Sequence, residues 1–145
     1  MKMKKQIVAP CGIACFNCEM YFENVTTEVQ TRLSQITGIP PEKITCNGCA
    51  DRDYCLFLKF QGKRCKTLDC ANEKGVKICC DCPDFPCILL MPLAKGAEKY
   101  PHNTKLFNLC TIKKSGIEEW KKQAAAIKKI YFTKNFEIGS GGDEN

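Results

Sequence analysis

Three pairs of cysteines, Cys15 with Cys18, Cys46 with Cys49 and Cys79 with Cys82, are each separated by two residues. That interval lets the backbone make a tight turn aiming both sulfurs at one ion, and two such turns complete a tetrahedral thiolate site. Gly48, inside Cys46-Asn-Gly-Cys49, suits the left-handed backbone that such a turn requires. Spacing suggests Cys46, Cys49, Cys79 and Cys82 as one four-cysteine centre, although the interval between the pairs is longer than in ordinary zinc fingers. Cys11, Cys65, Cys70 and Cys87 then remain for further coordination with Cys15 and Cys18, and spacing leaves the division open. The expected metal is zinc, with an iron-sulfur cluster as the alternative. Buried core thiols would explain one or two cysteines, not three CxxC pairs. That simpler role suits Cys55 and Cys80, which match no pair spacing, and Cys110, which falls on the apolar side of an expected helix.

Other chemistries fit less well. Cys11, Cys15 and Cys18 have the CxxxCxxC spacing of radical S-adenosylmethionine enzymes, but no repeated βα units follow to build their barrel. The same lack of a βαβ unit argues against a thioredoxin-like use of Cys15 and Cys18. A small zinc enzyme would leave one coordination position open, using three cysteines such as Cys11, Cys15 and Cys18 plus water. The single histidine, His102 in Pro101-His-Asn103, reads as a helix start and lacks a nucleophile partner. Lys121, Lys122, Lys128 and Lys129 read as a solvated helix face without the exposed aromatic residue of a nucleic-acid stacking platform.

Composition sets the conditions for these sites. The chain has 145 residues, room for one ordinary domain, and the span 1–138 shows no linker or repeat that divides it. The apolar share of 44% counts thirteen cysteines. Without them roughly 35% remains, thin for a self-sufficient core, so metal cross-links are expected to supplement burial. The formal charge of +6 treats those cysteines as neutral. Two four-thiolate zinc sites would lower it to about +2, so any nucleic-acid binding should be weak. The basic N-terminus is followed by only Ile7, Val8 and Ala9 before Pro10, too few for a secretory core, and no apolar run approaches a membrane span of about 18 residues. A cytoplasmic protein is expected, where thiols stay reduced and clustered cysteines bind metal.

The elements that must position the cysteines are short. A helix is predicted from about Glu28 to Thr37, with Thr27 and Gln30 as a capping box, Gly38 as its stop, and Val25, Val29, Leu33 and Ile36 as its apolar stripe. Between Cys46 and Cys87 pieces such as Leu56 to Phe60 are too short to assign. One helical turn is expected from Ala71 to Lys74, and another start between Pro86 and Met91. The last third changes character. A helix from His102 to Lys114 should bury Leu106, Leu109 and Cys110. A second, from Gly116 to Tyr131, should begin with a Ser115–Glu118 capping box and present Ile117, Trp120, Ala124, Ile127 and Tyr131 on one face. Residues 139–145 read as a disordered tail.

Taken in order, Pro10-Cys-Gly-Ile-Ala-Cys-Phe-Asn-Cys18, Cys46-Asn-Gly-Cys49, Cys70-Ala-Asn-Glu-Lys-Gly-Val-Lys-Ile-Cys79 and Cys82-Pro-Asp-Phe-Pro-Cys87 resemble the domain-of-unknown-function 3795 family. The resemblance covers about residues 8 to 91 and implies a small, cysteine-rich, zinc-binding protein with no transferable activity. It implies ten metal ligands: Cys11, Cys15, Cys18, Cys46, Cys49, Cys65, Cys70, Cys79, Cys82 and Cys87. Gly62 stands where many relatives place a further cysteine, and Cys55 lies seven residues earlier. The expected architecture is a small metal-stabilised α+β fold, an irregular cysteine-rich core with two C-terminal helices packed on it. The leading function is a zinc-stabilised binding module for an unknown protein partner. An iron-sulfur electron carrier and a small zinc enzyme are the alternatives.

Overall fold

The computed structural model describes residues 5–49 and 54–142. Residues 1–4 of the basic N-terminus, 50–53 within the domain and 143–145 of the expected tail lie outside the described residues. In chain order the helices are α1 (Thr27–Thr37), α2 (Leu56–Phe60), α3 (Lys66–Glu73), α4 (Thr104–Ser115) and α5 (Ile117–Thr133), joined by loops and single 3-10 turns. The fold is helix-rich rather than α+β. Among the described residues, pairing outside helices is limited to two isolated bridges, Val8 with Ala14 and Tyr21 with Cys46. The apolar pieces are too short and too often interrupted by Cys, Gly and Pro to extend such bridges into ladders.

Thr26, not Thr27, caps α1: its hydroxyl accepts from the Val29 N–H at 3.2 Å. Gln30 is thereby released from the expected capping box, and its amide donates to the Ile44 carbonyl at 3.2 Å. The helix is thus tied to the loop leading to Cys46. Ile36 is 74% exposed, so the stripe stops short of it.

The segment 56–60, unassigned from sequence, is helical, and the single turn expected at Ala71 is the end of the longer α3. The expected start near Pro86 is a 3-10 turn at Ile88–Leu90. Gly116 separates α4 from α5 with φ at 84° and no side-chain cap. Ser115 closes α4, so the Ser115–Glu118 box does not form.

Inside α4 the buried positions are Thr104, Asn108, Leu109 and Ile112, while Leu106 is half-buried and Cys110 is exposed. Two polar residues take inward positions because each has a partner. The Thr104 hydroxyl donates to the Pro101 carbonyl at 2.6 Å, and the Asn108 amide donates to the Gly12 carbonyl at 2.8 Å. The Asn108 side-chain oxygen accepts the Trp120 indole N–H at 3.1 Å. On α5 Trp120 and Ala124 are buried, Ile127 and Tyr131 are half-buried, and Ile117 is exposed. The core unites both parts of the chain: Ile78, Cys80 and Leu90 pack with Leu109, Ile112, Trp120 and Ala124. Phe16 meets Trp120 edge-to-face at 5.9 Å. At the end of the chain, residues 138–142 form a turn, with the Ser140 N–H donating to the Glu137 carbonyl.

Gly12 lies where the first cysteine loop meets α4. Its φ is +95°, and a β-carbon there would stand 2.5 Å from the Lys105 carbonyl oxygen and 2.7 Å from the Leu109 side chain. Gly12→Ala should therefore cost about 3 kcal/mol, from positive-φ strain plus overpacking against backbone. That corresponds to a fall in Tm of about 10 °C for a chain of this size. A thermal melt within 2 °C of wild type, on the order of half a kcal/mol, would show that the loop and α4 do not meet this closely.

Candidate metal centre

The first cysteine group is built on α3 and the turns that follow it. Leu68 N–H donates to the Cys65 sulfur at 3.4 Å, making Cys65 the N-cap of α3. Burial of Thr67, Leu68 and Ala71 fixes the helix and with it Cys70. The Cys82 N–H donates to the Cys79 carbonyl at 3.1 Å and closes the CxxC turn, while the Cys79 N–H donates to the Pro10 carbonyl at 2.8 Å. Cys70, Cys79, Cys82 and Cys87 then line one cavity of about 30 Å³, walled by Ala71, Val76, Phe85 and Leu90. Burial pushes the Cys79 thiol up to about 12, and repulsion from Cys11, Cys87, Cys82 and Cys70 acts in the same direction. Lys74 reaches the mouth, its ammonium 3.9 Å from the Cys82 sulfur and paired with Asp84.

A second group surrounds the other two CxxC turns. Burial raises the Cys15 pKa, followed by the effects of Cys49, Cys11, Cys46 and Cys18. Burial likewise pushes Cys49 up to about 12, with Cys11 and Cys55 next among the causes and a Gln6 hydrogen bond opposing. Cys11 is raised by burial against the opposing Lys105 ammonium, and Cys55 is raised by burial too. Several backbone N–H groups point at sulfur: Gly48 to Cys46 at 3.4 Å, Ile13 to Cys11 and Met20 to Cys18. Such donors favour the thiolate, whereas burial and mutual repulsion disfavour it. A divalent cation among the sulfurs would turn that repulsion into attraction.

The structure divides the sequence-predicted ligands differently from their spacing. Cys46 and Cys49 stand with Cys15 and Cys18, and Cys79 and Cys82 stand with Cys70 and Cys87. Cys65 borders the Cys15–Cys49 group, and Cys11 lies between the two groups, acting on both Cys49 and Cys79. Cys55, expected to be a core thiol, also lies within electrostatic reach of Cys65 and Cys46. Cys80 does fill the core at 2% exposure, whereas Cys110 faces outward on α4. His102 meets the Leu93 carbonyl at 2.7 Å and, with Asn103, anchors that segment. Among the described residues no three Cys, His, Asp or Glu side chains already stand in a metal-holding arrangement. The sulfurs of either group would have to re-aim to meet an ion, and in cysteine that takes a single side-chain torsion.

A family model described as a protein of unknown function, DUF3795, matches residues 7–92. The chain belongs to the DUF3795 family. The match takes in both cysteine groups of this DUF3795 protein and leaves out Cys110, α4 and α5, although both helices share its core. No curated protein and no solved structure matches the chain. No helix among the described residues is long and apolar enough to cross a membrane.

Proposed function

We propose that this DUF3795 protein is a binding module whose loops are held in shape by structural zinc. The observation that carries the reading is the small cavity lined by Cys70, Cys79, Cys82 and Cys87. Four thiols are the full donor set of a closed tetrahedral zinc site. A cavity of about 30 Å³ admits a single ion, well below the roughly 300 Å³ and upward of small-molecule sites. An enzyme with an open metal position and an organic substrate is accordingly disfavoured at this group. Zinc bound there would cross-link α3 to the two loops that follow it, without redox chemistry.

The cross-linked loop leads directly into an apolar stretch left in solvent: Ile88 is 79%, Met91 58% and Leu93 60% exposed. Exposed apolar residues so close together favour a protein partner. The lysine face of α5 supports nucleic-acid binding poorly. Lys128 donates to the Asn17 carbonyl at 2.8 Å, Lys122 pairs with Glu119, and Trp120 is fully buried. Free thiols in these numbers suit a reducing compartment, and the reading places the protein in the cytoplasm.

Anaerobically purified protein should be colourless and contain stoichiometric zinc by elemental analysis. A brown protein carrying iron and acid-labile sulfide would reject the zinc reading and favour an iron-sulfur protein.

A further inference from the structure

The cavity beside α3 uses four cysteines, and the first two CxxC turns meet elsewhere. Immediately after Cys18 the chain runs alongside Cys46: the Cys46 N–H donates to the Met20 carbonyl at 2.8 Å, and the Phe22 N–H donates to the Cys46 carbonyl at 2.8 Å. These two bonds enclose the parallel bridge of Tyr21 with Cys46, and Tyr21 is 1% exposed. Backbone pairing, rather than any ligand, therefore brings the end of the Cys15–Cys18 turn to the start of the Cys46–Cys49 turn.

Gln6 joins the other ends. Its amide nitrogen donates to the Val8 carbonyl at 2.8 Å and lies 3.9 Å from the Cys15 sulfur. Its side chain also hydrogen-bonds Cys49. Between them it crosses Gly48 so closely that a β-carbon at that position would lie 2.3 Å from the Gln6 side-chain oxygen. Gly48, with φ at +102°, both makes the turn and leaves the space Gln6 occupies. In each segment an N–H two residues after a cysteine points at its sulfur, that of Met20 at Cys18 just past the first turn and that of Gly48 at Cys46 inside the second.

We propose that Cys15, Cys18, Cys46 and Cys49 form a second four-thiolate site for a divalent metal ion, separate from the Cys70, Cys79, Cys82 and Cys87 site. The proposal rests on the zinc reading above and extends it from one metal ion to two. Binding one ion releases four thiol protons and leaves the site with a net charge of −2, with no change of oxidation state.

The test uses the full chain, purified with zinc under reducing, anaerobic conditions. Elemental analysis should give two zinc ions per chain. The C15S/C49S and C79S/C82S double variants, where they fold, should each retain one. Because a double variant that fails to fold would lose zinc from both sites, the wild type carries a second readout: brief alkylation of the native protein, followed by mass mapping of the modified cysteines. Protection of Cys15, Cys18, Cys46 and Cys49 together, released by a chelator, is the expected result. One zinc per chain, with protection confined to Cys70, Cys79, Cys82 and Cys87, would overturn the second site and leave the first standing. Two zinc ions with Cys11, Cys55 or Cys65 protected in place of any of the four would also overturn it. A chain that takes up no zinc would reject both the second site and the reading on which it rests.

Discussion

Cys79→Ser and Cys82→Ser should each strip zinc from the site beside α3 and abolish most of the protein's stability, whereas Cys80→Ala, in the same turn, should leave zinc content unchanged. The contrast follows from where the three side chains go. Cys79 and Cys82 line the small cavity with Cys70 and Cys87. Cys80 turns the other way, packs in the cluster containing Leu90, Leu109 and Ile112, and is 2% exposed. Structural zinc contributes roughly 10–16 kcal/mol to the folding of small zinc-finger peptides. An ordinary domain has only about 5–15 kcal/mol of net stability, so losing one such site can unfold it. Replacing a buried thiol by a methyl group of nearly matching volume costs about 1 kcal/mol. Cys110 is exposed, and Cys110→Ala should fall within about 0.5 kcal/mol of wild type. Zinc stoichiometry and thermal unfolding of each single variant make the comparison. Equal metal loss in Cys80→Ala and Cys79→Ser would defeat the assignment of ligands in this turn.

Local features of this arrangement are legible in the sequence, and long-range ones are not. The CxxC spacing identifies the turns, and Gly48 has the positive φ that the Cys46–Cys49 turn demands. The last helix follows from its apolar periodicity, whereas α4 buries Thr104 and Asn108 beside Leu109 and Ile112. Which turns share a group is decided by contacts between distant segments, such as the Cys46 N–H bond to Met20 and the contacts of Gln6 with Cys15 and Gly48. Neither Gln6 nor Met20 carries a spacing signal. The misplacement of Cys110 has a similar origin. A periodicity argument assigns inward positions to apolar residues, but Asn108 points inward because its partner, the Gly12 carbonyl, lies at the far end of the chain. The sheet part of the α+β expectation is absent among the described residues for a different reason: the loops satisfy their backbone groups in turns and 3-10 segments, as at Cys15–Asn17 and Cys79–Asp81.

The same Asn108 connection makes the C-terminal helix pair part of the core, although it lies outside the family match. Trp120 is fully buried, meets Phe16 edge-to-face and donates its indole N–H to Asn108, which in turn donates to Gly12. Its side chain therefore holds the first cysteine loop against α4 and α5. Trp120→Ala should cost about 4 kcal/mol, the usual range for emptying a buried aromatic site, with the abandoned Asn108 oxygen adding to the loss. Trp120→Phe keeps much of the packing but removes the donor, and should cost about 2 kcal/mol. Denaturant titration of the zinc-loaded protein measures both differences. Zinc at the site beside α3 should be unchanged in whichever variants fold, because Trp120 does not line the Cys70–Cys87 cavity. If Trp120→Ala costs less than about 1 kcal/mol, the helix pair does not support the cysteine core in this way. If Trp120→Phe matches wild type, the hydrogen-bond chain through Asn108 contributes nothing, and packing alone secures the loop.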